Sequence, residues 1–181
     1  VKYIPVKNTK EAVNVIRAMK TRAFGQFLVV LNTFLVELIR NKDLAPAKMA
    51  KIIEATAKSL NASRPTFPFA DVTSIVVGWA HKALIDLPST KQNVKSPNRR
   101  FNIEKGKVNQ EKADFHVYME KHIFGFINGI RYRRLERVRA ISNLIQNGDC
   151  VLTHCNVSGE LAMAAAMCQE QDKKVKFYAT E

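Results

Sequence analysis

Long apolar runs, paired cysteines and acidic charge are what this sequence is short of, and each shortage narrows what the chain can be. The longest apolar candidate is interrupted by Asn32, Glu37 and Arg40, so no run is expected to reach the length of a membrane span. No signal-peptide pattern is visible at the start, which reads Val1 rather than Met. Cysteines number three, an odd count with four and twelve residues between neighbours, and this fits neither a disulfide framework nor a zinc site. Reduced thiols in a cytoplasmic protein are the simplest account. Acidic residues number 16 against 29 basic ones, a net charge of +13. Such a field draws anions of any kind, whether phosphorylated metabolites, nucleic acid or acidic protein surfaces, and does not choose among them.

What is present is an ordinary globular composition, 46% hydrophobic and 25% charged, over 181 residues. That length gives room for one good domain, or for one domain and part of a second. Val1 to Val6 has β character. Asn8-Thr-Lys-Glu11 reads as a capping box, with Asn8 as N-cap and Glu11 reaching back. Ala12, Val13, Ile16 and Met19 then follow at helical spacing, ending near Met19 or Lys20. Thr21 to Gln26 is an irregular segment that carries Arg22, on these residues alone an exposed helix-end cation. Phe24 to Arg40 forms a wide apolar stripe, the pattern of a core helix. Asp43 followed by Pro46 opens a third helix running to about Leu60.

Asn61 to Phe69 is a second irregular segment, kept extended by two prolines. Pro65 biases Arg64 away from the α region, so its guanidinium is carried on a stiff loop. A fixed guanidinium is what bidentate phosphate recognition needs, although an ordinary interhelix arginine reads the same way. Asp71 caps a helix from Val72 to Asp86, with Ile75, Val76, Trp79 and Ala83 facing inward and His81 on the surface. Leu87 to Lys107 reads as a long connection. Helical pattern returns from Asn109 to Gln146, with a break expected near Gly125 and Gly129. The arginines of 131–139 spread around this helix, favouring a solvated or subunit-contacting surface over one that reads a nucleic-acid groove.

The densest polar grouping follows. Gly148-Asp149 leads into a β-forming run from Cys150 to Thr153, then a polar loop from His154 to Gly159, then an Ala/Leu/Met helix. A strand running through a polar loop into a helix N-terminus presents free N–H groups and a positive helix end to an anion. Cys155, at the strand end, is expected to ionise more readily than a free thiol. A merely buried cysteine is the plainer alternative. His154 and Asn156 beside it shift the balance toward a site, because three polar groups at one strand end are hard to explain as packing. Cys168 falls on the apolar face of the helix and Cys150 packs in the sheet. Asp172-Lys-Lys174 turns the chain into a strand from Val175 to Thr180, parallel to the first.

Four segments carry a resemblance to a known family. Leu152-Thr-His-Cys-Asn156 is similar to a segment shared by methylthioribose-1-phosphate isomerase, ribose-1,5-bisphosphate isomerase and the regulatory subunits of translation initiation factor 2B. Met19-Lys-Thr-Arg22 resembles the family's substrate-arginine segment, Ser63-Arg-Pro-Thr66 its T/A-R-P-T segment, and Lys176 to Glu181 the start of its E-T-R-P strand. Each motif is short, but their order and spacing extend from about Glu11 to the last residue. At Ala23-Phe24-Gly25 the sequence departs from the Gly-Ala turn of these relatives, which puts the size or identity of the ligand in question.

The resemblance implies an α+β chain: an all-helical N-terminal domain over 1–146, then over 147–181 the first βαβ unit of a Rossmann-like α/β domain, apparently truncated. One βαβ unit cannot bury both sheet faces by itself. It implies an aldose–ketose isomerase acting on a phosphorylated pentose, with Cys155 catalytic. Arg22, Arg64, His154, Asn156, Ser158 and Gly159 would hold the substrate. No metal or cofactor is implied. The isomerases pair their cysteine with an aspartate on a later strand, so this chain alone would be inactive. The second function implied is that of a non-catalytic regulatory subunit like those of initiation factor 2B. Expected partners are a phosphorylated sugar and a second copy of the chain in a homodimer, with no membrane. Nucleic acid rests on net charge alone.

Overall fold

The capping box forms at the head of helix α1 (Thr9–Arg17). The Asn8 side chain accepts the Glu11 N–H at 2.9 Å, and Glu11 reaches back to the Lys7 N–H at 2.8 Å, one residue earlier than the usual reciprocal bond. The computed structural model describes residues 4–86, 100–154 and 159–180. Helices α2 (Ala23–Arg40), α3 (Pro46–Ser63), α4 (Phe69–Asp86) and α5 (Arg100–Leu144) follow, then strand β1 (Cys150–His154), helix α6 (Glu160–Glu170) and strand β2 (Lys176–Thr180). The architecture is α+β, a helical region followed by a Rossmann-like βαβ unit. It divides into two compact units, Val1–Gly125 and Phe126–Glu181. The change from helix to strand falls between Leu144 and Cys150.

In the first unit α2 is the core helix, packed against α1, α3 and α4. It is long and apolar enough, by length and composition, to cross a membrane, contrary to the expectation that no run would be. Its burial explains that composition: Val30, Leu31, Phe34 and Leu38 are sealed within the helical unit. Glu37 lies on the same buried side and accepts from the Thr9 N–H at 2.9 Å and from Thr9 Oγ1 at 2.8 Å. Because that hydroxyl gives its proton to the carboxylate, the Thr56 hydroxyl 3.2 Å away must donate to Thr9 Oγ1. Thr9, Glu37 and Thr56 thereby lock α1, α2 and α3 together.

Several boundaries differ from those expected. Asp43 does not cap α3. The N-cap is Ala45, in extended conformation because Pro46 at the first helical position forbids it the α region, and no side chain caps it. Asp71 lies inside the first turn of α4, which starts two residues earlier at Phe69. The buried face of α4 is Phe69, Thr73, Val76, Ala80 and Ala83, which turns Ile75 outward at 40% exposure. His81 is on the surface, 2.6 Å from Glu54. Of the connection expected over 87–107, residues 87–99 lie outside the described residues, and Arg100 to Lys107 are helical. Gly125 and Gly129 do not break α5. Each glycine costs a helix only about 1 kcal/mol relative to alanine, and buried residues flank both positions, at Ile123 and at Ile127.

His116 on α5 has a ring Nε2 that is buried with no hydrogen-bond partner. Burial pushes its pKa below the ordinary 6.5, outweighing the attraction of Glu120 and Asp43 for the proton. The sign follows from linkage: a ring that resists protonation when folded contributes stability that is complete above pH 6.5 and is lost as pH falls below it. Thermal melts of the wild type from pH 7.5 down to pH 5 should therefore show declining stability, and His116→Gln should flatten the decline.

In the second unit β1 and β2 pair in parallel, with Cys150 opposite Lys176 and His154 opposite Thr180. Glycine is required at Gly148, φ +91°, where the chain turns into β1. The turn is held by Gly148 N–H to the Lys174 carbonyl (2.8 Å) and by Asp149 to the Gln146 N–H (2.8 Å). Cys168 is buried on α6 beside Ser142, as its apolar face required. Cys150 is exposed, contrary to expectation. Along β1 alternate residues share a face, and Val151 and Thr153 take the partly covered one, leaving Cys150, Leu152 and His154 on the open side.

Candidate functional site

Arg22 is the N-cap of α2, its backbone extended at φ −77° and ψ 174° and its carbonyl accepting the Gln26 N–H at 2.9 Å. Its side chain is exposed and makes no capping hydrogen bond. Arg64 is the C-cap of α3, at φ −153° and ψ 81°, the extended conformation that Pro65 dictates. Its guanidinium donates from Nη1 to Gln26 Oε1 at 2.8 Å and lies over the Phe67 ring, 4.6 Å from the centroid. The Phe67 ring meets Phe27 and Phe69 at centroid distances of 5.2 and 5.0 Å.

Gln26 is the residue that sequence reasoning missed. It is fully buried, and while its Oε1 receives Arg64, its Nε2 donates to the Thr21 carbonyl at 3.0 Å. One amide thus ties the two arginine-bearing segments, 19–22 and 63–66, to each other. The signal available was its position one turn before Val30, on the line that continues through Thr33 and Phe34 to Glu37. A polar residue on a core line needs partners, and the nearest unpaired backbone is the α1–α2 turn. Gly25, inside the segment that departs from the relatives' Gly-Ala turn, is required sterically: a Cβ there would stand 1.9 Å from Thr21 Oγ1. Beside it a cleft of about 420 Å³ opens between the N-terminal segment and α2, with Val6, Val15, Lys20, Leu28 and Asn32 in its walls.

The second unit holds the remaining candidates. His154 ends β1, exposed, with Nδ1 3.0 Å from Thr180 Oγ1. Gly159 caps α6 in the left-handed region at φ +76°, which a residue with a Cβ adopts only under strain. Glu160, in the first turn of α6, is held by Arg134 at 3.3 Å and Arg137 at 2.9 Å. The carboxylate complements the positive helix end, while the two arginines outweigh its charge and keep this end of α6 cationic. Cys155, Asn156 and Ser158 lie outside the described residues. Among the described residues no group of three or more His, Cys, Asp or Glu is placed to hold a metal ion.

No family model and no curated protein matches the sequence. A solved structure does: the delta subunit of translation initiation factor eIF-2B from A. fulgidus superposes with a TM-score of 0.60 at 17% identity, over 98% of this chain. The chain has the fold of an eIF-2B subunit. It spans about half the length of the solved chain, 47%. At that identity the likeness speaks to the eIF-2B fold alone. Within this fold, the structure brings Arg64 to the segment that carries Arg22 through Gln26, and places His154 at the end of β1 and Gly159 at the start of α6.

Proposed function

We propose that this chain belongs to a non-catalytic regulatory subunit of the eIF-2B type that takes a phosphorylated small molecule as ligand and self-associates as a homodimer. The observation that supports this reading is the engagement of Arg64. Its guanidinium is bonded to a buried glutamine and stacked on Phe67, so part of its binding capacity goes to coupling two loops of the fold. A cation shared between structure and ligand suits a sensor, whose ligand must alter the fold in order to be read. The likeness to a delta subunit along nearly the whole chain points the same way.

The isomerase reading is kept by one observation. β1 ends at His154, and Cys155, the next residue in the sequence, lies outside the described residues; an activated thiol just after this strand end would suit an isomerase. The natural protein that carries this chain separates the two. Ribose 1,5-bisphosphate or methylthioribose 1-phosphate at a hundredfold excess over Kd should stabilise it by about 2.7 kcal/mol, with no ketose formed. Sedimentation should show the dimer. Ketose formation that disappears in Cys155→Ser would overturn the regulatory reading in favour of the isomerase. Absence of any thermal shift would remove the sugar-phosphate ligand from both. Steeply salt-dependent binding dominated by the 131–139 arginines would instead indicate nucleic acid.

A further inference from the structure

His154 and Thr180 are register partners at the C-terminal ends of two parallel strands, the edge where open α/β sheets receive ligands. His154 Nδ1 is 3.0 Å from Thr180 Oγ1, and that same hydroxyl donates to the Thr153 carbonyl at 3.4 Å. A carbonyl oxygen only accepts, so both contacts are made at once only when the Thr180 proton goes to Thr153 and Nδ1 donates, in the order His154 Nδ1–H to Thr180 Oγ–H to Thr153 O=C. A ring protonated on Nε2 would instead turn the hydroxyl toward Nδ1 and give up the longer Thr153 contact.

We propose that Thr180 is a positioning residue that holds His154 as the neutral Nδ1–H tautomer, leaving Nε2 as a hydrogen-bond acceptor for a ligand hydroxyl. The other ring nitrogen's hydrogen bond sets the tautomer of a histidine, and Thr180 supplies that bond. A neutral Nε2 has a lone pair and no proton, so it suits a sugar hydroxyl and disfavours a phosphate oxygen. The recognition of phosphate is left to the cationic groups, and His154 selects the polyol part of the ligand. The ligand half of this inference rests on the sugar-phosphate reading proposed above; the tautomer half stands on the strand-end geometry alone.

Nitrogen NMR of the natural protein, with the His154 ring assigned by comparison with His154→Asn, reads the tautomer directly. The wild type should show Nδ1 protonated and Nε2 bare at pH 8. Thr180→Val, a substitution of similar shape suited to a strand, should shift the ratio of the two tautomers several-fold toward Nε2–H, and Thr180→Ser should restore it. A wild-type ring protonated on Nε2, or a ratio indifferent to Thr180→Val, would overturn the proposal. Ribose 1,5-bisphosphate affinity should fall several-fold in Thr180→Val and recover in Thr180→Ser. Wild-type affinity in Thr180→Val would overturn the hydroxyl-acceptor role. If the tautomer behaves as stated and the wild type does not bind this probe, the sugar-phosphate reading fails while the positioning role of Thr180 holds.

Discussion

Replacing Glu37 with alanine is expected to destabilise the helical unit by about 3 kcal/mol, since hydrogen bonds to a charged acceptor contribute about 1.5–3 kcal/mol each. The carboxylate is buried and receives both the backbone N–H and the hydroxyl of Thr9, together with Arg40 and Asn41 at 3.2 Å. Arg40 is half exposed and can return to water, so losing its charge partner costs little. The Thr9 N–H is one of the orphan donors in the first turn of α1 and is only partly open to water, so losing its acceptor costs more. Both Thr9 donors reach the same oxygen, Oε1, so Glu37→Gln keeps an acceptor for them while losing the charge and the Oε2 acceptor, and should recover part of the loss. Urea titrations of the three proteins would measure the order wild type, Gln, Ala. Equal stability of the Ala and wild-type proteins would mean that the α1–α2 lock is solvated and adds nothing.

Glu37 also shows where the sequence was legible and where it was not. Local rules were readable: the Asn8–Glu11 box, the extended backbone that Pro65 imposes on Arg64, the parallel pairing of β1 with β2, and the burial of Cys168 all depend on a few neighbouring residues. Interruptions were misread. Asn32, Glu37 and Arg40 suggest a helix with polar breaks, but Glu37 points inward because α1 offers it two donors 28 residues away in the chain. Gln26 is hidden for the same reason, since its partner Arg64 is 38 residues distant. Asp43 carried a capping signal that Pro46 displaced, and only the relative cost of the two start points decides between them. The arginine segments were found by resemblance, and the amide that joins them was found only in three dimensions.

The aromatic platform beneath Arg64 carries the other large effect. Phe69 is fully buried at the start of α4, edge-on to Phe27 at 5.5 Å and to Phe67 at 5.0 Å. Phe69→Ala removes a complete core side chain and is expected to cost about 3–5 kcal/mol, the usual range for phenylalanine truncation in a core. Aromatic pairs add about 0.5–1.5 kcal/mol beyond area burial, and both of Phe69's pairs are lost at once, so the upper half of the range is expected. Phe67 is only partly buried, so Phe67→Ala should cost less, on the order of 1 kcal/mol, because part of its surface already meets water. The two substitutions should separate in a second way. Phe67→Ala removes the ring under the guanidinium but leaves the Gln26 bond, so Arg64 keeps its hydrogen bond and loses its stacking surface. Phe69→Ala leaves the Arg64–Phe67 contact formally intact but takes away what Phe67 rests on. If the platform acts as one unit, Phe67→Ala and Phe69→Ala combined should cost less than the sum of the single losses, by the coupling that a double-mutant cycle isolates. Strict additivity would show that Phe67 serves Arg64 alone and that the core ends at Phe69.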